Sequence, residues 1–283
     1  MSEQISKRKY SLAQLTVLPW SPPEMIYNAR TLGYDTVSIR PISMGVKGEH
    51  DFDLAVHKDL FDLTKQAMSE TGIKINDIEL AKIGDGIDVA RYESAFEAAS
   101  KLGVKDVISS IWSDNRDFYL EQFGKLCDLA WKYGIYVNLE FVTWAGIKTL
   151  SGVREVLSAV NKPNAAIFID TLHFYRSRIG LDELDACPKN LFRFMHICDG
   201  PAEIPEESSP TYKDDLIYVG RDAREYVGEG AIGIAAIVKK LPDDVLFSIE
   251  LPHLKKAAEW GLAEHARRCL VTAKDYMKKH GIN

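Results

Sequence analysis

The 283 residues are 46% hydrophobic and 27% charged, the balance of an ordinary globular chain with material for a large core. A formal net charge of -6 argues against a surface built to neutralise nucleic-acid phosphates, and no apolar run approaches the roughly 18 residues of a membrane span. The polar start MSEQISKRKY has no apolar signal-peptide core, and Cys127, Cys187, Cys198 and Cys269 form no CxxC pair, so a cytoplasmic protein with reduced thiols is expected.

Short runs rich in Val, Ile, Phe and Tyr alternate with longer segments of helical period, the pattern of βαβ units. Strands are predicted at YSLAQLTV from Tyr10, TVSIRPI from Thr36, KINDIELAKI from Lys74 and DVISSIW from Asp106. Four more are predicted at IYVNLEFV from Ile135, AAIFIDTLH from Ala165, FRFMHICD from Phe192 and VLFSIELP from Val245. Between the first five lie PEMIYNARTLG, LAVHKDLFDLTKQAMSETG, ARYESAFEAASKLG and FYLEQFGKLCDLAWKYG, whose glycines Gly33, Gly72, Gly103 and Gly134 are placed to cap helices. Eight such units with short connections and no linker predict one (β/α)8 barrel over 1–283, in preference to an open doubly wound sheet. Residues 200–230 are too long for an ordinary βα loop and follow the seventh strand, which places them over the C-terminal mouth as a predicted lid.

Polar residues at the C-terminal ends of parallel barrel strands converge on that mouth. Glu140 ends NLE in strand five, Asp170 ends IFID in strand six, His196 lies in FMH of strand seven and Glu250 ends FSIE in strand eight. Each follows an apolar run in which an unpaired carboxylate would be costly, and one shared divalent cation relieves that cost. Three carboxylates and an imidazole suit Mn²⁺ or Mg²⁺, with Co²⁺ or Zn²⁺ admitted through the histidine. Arg40, Glu79 and Trp112 lie in or at the ends of strands two, three and four, and Arg176 and Arg178 follow His173. The basic residues of these and other loops hint at an anionic substrate such as a sugar acid, a phosphate or a carboxylated ring, and Trp112 is placed to wall a sugar-like ring. His50, His57, His265 and His280 carry no catalytic expectation, and His253 only a supporting one beside Glu250. Ser208 to Pro210 reads as a turn, and no G-x-S-x-G, Walker A or G-x-G-x-x-G context occurs.

These residues resemble the xylose-isomerase-like TIM-barrel superfamily over essentially the whole chain. The resemblance rests on the LE at Glu140, the D-x-x-H from Asp170 to His173, His196 followed by Asp199, the GEG from Gly228 to Gly230, and the IE at Glu250. It implies metal binding by Glu140, Asp170, His196 and Glu250, proton exchange with substrate carbon by the two glutamates, and contact with substrate oxygen by His173 and by an arginine after strand seven. Arg221 and Arg224 compete for that last role. The sequence departs from dehydroshikimate dehydratases, which carry a histidine two residues after the first glutamate, whereas Glu140 is followed by Phe141, Val142 and Thr143. Seven histidines in an acidic chain also do not suit endonuclease IV. The expectation is an isomerase or epimerase working through a metal-stabilised enediolate. The alternatives are a lyase acting on a similar substrate and a non-catalytic metal-binding barrel. Nucleic-acid and membrane partners are not expected; a homo-oligomer is compatible with the sequence.

Overall fold

Each strand hydrogen-bonds in parallel to the next in the chain and the eighth returns to the first, so the sheet has no open edge. The strands are β1 (Tyr10–Ala13), β2 (Thr36–Ile39), β3 (Lys74–Ile83), β4 (Asp106–Ile111), β5 (Tyr136–Glu140), β6 (Ala165–Asp170), β7 (Phe192–Ile197) and β8 (Leu246–Ile249). This computed structural model describes residues 8–282, so most of the amino-terminal stretch behind the signal-peptide expectation lies outside the described residues. No helix among the described residues is long and apolar enough to cross a membrane.

The surrounding helices begin and end where local chemistry requires. Helix Pro22–Leu32 opens on a capping box between Ser21 and Glu24, with proline in its first turn, and closes at Gly33 with φ 88°. Gly72, Gly103 and Gly134 likewise take positive φ after their helices, as predicted. Asn115 and Thr149 cap the helices Arg116–Lys132 and Leu150–Val160 with their side-chain oxygens.

Seven of the eight predicted strands end before their predicted runs do, KINDIELAKI alone keeping its full length, and two of the seven pass directly into a helix. YSLAQLTV turns into a 3-10 helix at Gln14–Val17. Its side chains bond neighbouring strand ends: Gln14 accepts the Arg40 N–H at 2.6 Å, and Thr16 donates to the Ile249 carbonyl at 2.8 Å. AAIFIDTLH stops at Asp170, whose Oδ1 accepts the N–H groups of Leu172 and His173 at 2.7 and 3.2 Å. That N-cap starts helix Thr171–Arg176, so His173 sits on a helix and not in the strand.

Inside the barrel the side chains form layers. Ser11, Ser38, Ser248 and Asp77 make a buried hydrogen-bonded set toward one end. Leu80, Ile108, Phe168 and Phe194 make an apolar plug, with Met44 and Leu246 against it. Phe168 meets Phe194 and His196 edge-on at 4.9 and 4.8 Å, so the plug is the floor of the charged mouth.

The predicted lid is in large part anchored. It contains helix Tyr212–Asp222, after which Asp199 and Glu225 exchange backbone hydrogen bonds at 2.9 and 2.8 Å and Arg224 N–H donates to the Pro252 carbonyl at 3.1 Å. The buried Asp199 carboxylate also accepts the N–H groups of Gly200, Gly228 and Ile232. A Cβ at Gly230 would lie 2.4 Å from Asp199 Oδ1 and from the Gly200 carbonyl, so the GEG turn is a packing requirement. Of the two arginines expected to meet substrate, Arg224 is buried at the mouth and Arg221, from the same segment, is half-buried.

The C-terminal helix Leu262–Lys279 docks through His265, which has no solvent exposure. Its Nε2 lies 3.0 Å from the Leu251 carbonyl and must donate, which leaves Nδ1 to accept from Tyr226 Oη at 2.8 Å. Burial lowers its pKa from 6.5 to about 4. Between those values the unfolded chain binds a proton that the native chain refuses, so stability is complete above pH 6.5 and falls as pH drops toward 4. This one group accounts for up to about 3 kcal/mol across that window. His265→Gln is expected to flatten the acid limb of stability by that amount, read from urea midpoints at pH 7 and pH 4.5. An unchanged slope would place the titration elsewhere.

Candidate active site

The ends of β5 to β8 bring the predicted ligands to one rim. Glu140 and Asp170 are the last residues of their strands, His196 pairs in register with Asp170, and Glu250 follows β8 directly. None is more than 8% exposed. Glu140, Asp170 and His196 offer ligand atoms within 4.8 Å of one another, and Glu79, His196 and Glu250 form a second such group. Sequence reasoning ranked Glu79 low; the structure places it beside His196.

Arg224 runs through the middle of the cluster. Its Nη1 lies 2.6 Å from Asp170 Oδ2 and its Nη2 lies 2.7 Å from Glu250 Oε2, while Nε donates to the Gly220 carbonyl at 2.8 Å. Arg40 makes the corresponding pair on the other side, 3.2 Å from Glu79 and 3.5 Å from Glu49. Glu49 was not singled out from the sequence. It also accepts the N–H groups of Met44 and Val46 and so folds the loop after β2 over the rim.

Five carboxylates, Glu49, Glu79, Glu140, Asp170 and Glu250, thus face two guanidiniums, and protons make up part of the difference. Burial, with Asp170 nearby, holds the Glu140 carboxyl well above its usual range, and burial raises Glu79 to about 8 against the pull of Arg40. Burial would neutralise His196, but Glu250, Glu79 and Asp170 outweigh it and raise the imidazole to about 10. Burial also opposes ionisation of Glu250 and Asp170. His196 and Arg224 overcome it at Glu250, and Arg224 does so first at Asp170, so both stay below the ordinary carboxylate range.

The donor set fits a divalent cation. Among the described residues neither ring nitrogen of buried His196 has a hydrogen-bond partner, although Nδ1 lies 3.4 Å from Glu250 and 3.8 Å from Asp170, and Glu79 Oε1 is equally unpartnered. Buried polar atoms left in this way call for a ligand or ion. A dipositive charge here would take the place of the extra protons, with Glu140, Asp170, His196 and Glu250 as its holders.

Around this cluster, His173 accepts from the Thr143 N–H and faces Thr143 Oγ1, through Nδ1, at 3.4 and 3.2 Å. Burial lowers it to about 4, so it is neutral and carries its proton on Nε2. Trp144, which the sequence reading passed over, stands edge-on to it with ring centres 4.8 Å apart. Trp112 donates to Ser110 Oγ at 2.8 Å with the Lys82 ammonium over its ring. Arg40, Trp112, His173, Arg221 and Arg224 all line the cavity that holds Glu140, His196 and Glu250. Arg176 is turned away to the Leu216 carbonyl, and His253 caps helix Leu254–Trp260.

A model of the xylose isomerase-like TIM-barrel family matches residues 26–270. The inosose isomerase of Bacillus licheniformis is 24% identical over 165 residues, 55% of this chain and 55% of that protein. The chain spans about half the length of the curated relatives it matches. Among solved structures, the IOLI protein with a bound zinc atom superposes with a TM-score of 0.78 at 19% identity, covering 96% of this chain and 99% of that one. The D-allulose 3-epimerase of Methylomonas sp. with bound D-allulose gives 0.67 at 17% identity, covering 95% and 98%. At these identities the structural likenesses establish a common fold.

Proposed function

We propose, for a chain that belongs to the xylose isomerase-like TIM-barrel family, that it is a divalent-metal-dependent isomerase or epimerase of a sugar, polyol or related hydroxy-ketone. The observation that carries this reading is the gathering of Glu140, Asp170, His196 and Glu250 around unpartnered imidazole nitrogens in a buried mouth. The inosose isomerase and D-allulose 3-epimerase activities of its relatives support the substrate class.

A bound divalent cation would supply positive charge to substrate oxygens as a neighbouring carbon loses its proton. The carboxylate-rich donor set favours Mn²⁺ or Mg²⁺, and the zinc in a structural relative makes Zn²⁺ the alternative. One of Glu140 and Glu250 removes the carbon-bound proton and the other returns it to the same or the adjacent carbon. His173 donates its Nε2 proton to a substrate oxygen, and Arg221 offers a second contact from the cavity wall.

The test is incubation of the Mn²⁺-loaded protein with ketoses and inososes in D₂O. Deuterium on carbon with the composition otherwise unchanged supports the reading, whereas loss of water from the product replaces it with a lyase. The chelated protein is expected to bind about one equivalent of Mn²⁺ in a titration, because His196 belongs to both ligand groups and one ion uses it up. Saturation at three ions, or no binding, would overturn the site.

A further inference from the structure

The cavity among the charged groups measures only about 60 Å³. Ligand pockets ordinarily begin near ~300 Å³, so a ligand held at the mouth extends beyond it. Beside it lies a cavity of about 580 Å³ between the turn after β1, helix Tyr212–Asp222 and the segment after β8. Its walls are mainly apolar, with Leu15, Leu254, Ala257 and Leu262 among them and Lys47 and Asp222 also lining it, and Leu254 is 63% exposed. Leu15, Val46 and Arg221 line both cavities.

Arg221 stands at this junction half-buried. Among the described residues it makes no ion pair within 4.0 Å, whereas Arg40 and Arg224 beside it are each paired twice. A half-buried guanidinium at the boundary between a polar and an apolar chamber is suited to an oxygen that joins two unlike parts of one ligand.

We infer that the substrate is a sugar-like head bearing an apolar ring or chain. The head occupies the charged mouth, the apolar group fills the larger cavity, and the connecting oxygen faces Arg221. The inference rests on the isomerase reading for the identity of the head. The apolar chamber itself is tested by binding, independently of turnover.

The Mn²⁺-loaded full chain is titrated with 1-anilinonaphthalene-8-sulfonate, an apolar fluorescent probe with one anionic group. Saturable one-to-one binding is expected, and Ala257→Trp, which fills the cavity, and Leu254→Asp, which places charge at its exposed edge, should each weaken it tenfold or more. Phenyl β-D-glucopyranoside is expected to displace the probe at concentrations at least tenfold below methyl β-D-glucopyranoside. Deuterium exchange on simple ketoses should be unchanged in both variants. Absence of probe binding, binding unaffected by either variant, or equal displacement by the two glycosides overturns the inference. It is also overturned if light scattering shows a wild-type dimer that Leu254→Asp converts to a monomer, since a second copy then covers the apolar wall. Failure of the isomerase reading looks different: the wild-type protein exchanges no ketose, while the probe and glycoside results still decide what the cavity holds.

Discussion

Glu250→Gln and Glu140→Gln are each expected to lower kcat by about 10²- to 10⁴-fold, the ordinary value of a positioned acid or base. KM should move far less. Glutamine keeps nearly the volume and one acceptor oxygen of each side chain, so the walls of the mouth stay in place while the proton carrier is lost. Both residues are also placed as metal holders, so metal content is measured on the same samples and kcat compared at saturating Mn²⁺. A variant that retains wild-type kcat when fully loaded is not an essential proton carrier, and the two-glutamate scheme fails for that residue. A variant that loses Mn²⁺ and recovers full kcat when more is added has a holding role only.

The four strand-end groups were legible because convergence at a parallel barrel mouth depends only on where each strand ends. NLE, IFID, FMH and FSIE each place a polar group after an apolar run, and the register between Asp170 and His196 puts them at one level. Glu79 was less legible for a reason that lies in β3. Strict alternation through KINDIELAKI would put Ile78 and Leu80 on one face. Instead the pairing with β4 shifts between Ile78 and Ala81, Ile78 packs with the outer core, and Leu80 joins the inner plug beside the mouth that Glu79 enters. Alternation cannot announce such a shift.

The choice between Arg221 and Arg224 was open in the sequence because both follow a long connection, three residues apart. Two backbone events separate them: the bridge of Asp199 with Glu225, and the pairing of Ala223 with His253. These turn Arg224 inward onto Asp170 and Glu250 and leave Arg221 on the cavity wall. The two arginines thus differ in place: Arg224 is ion-paired within the cluster, and Arg221 lines the cavity without an ion pair among the described residues. His173 shows a different limit. Thr, Leu, His and Phe after Asp170 extend an apolar run, and only the capping bonds from Asp170 reveal that a helix has begun.

Arg224→Met is expected to destabilise the chelated protein by about 3–5 kcal/mol, the cost of removing one partner from a buried ion pair. Asp170 is fully buried and Glu250 5% exposed, and both direct their carboxylates at this guanidinium, so methionine leaves two charges facing each other across an apolar side chain. The loss should be partly recovered in excess Mn²⁺, because a bound ion stabilises the fold by mass action and neutralises the same carboxylates. Mn²⁺ affinity itself should rise: removing a positive charge next to Asp170 and Glu250 strengthens their attraction for a second cation. Urea unfolding with EDTA and with excess Mn²⁺, together with a calorimetric Mn²⁺ titration, separates these effects. If Mn²⁺ binds the variant more weakly while the fold is equally stable with and without the ion, Arg224 organises the ligands instead of competing for them, and the account of charge balance at the mouth is wrong.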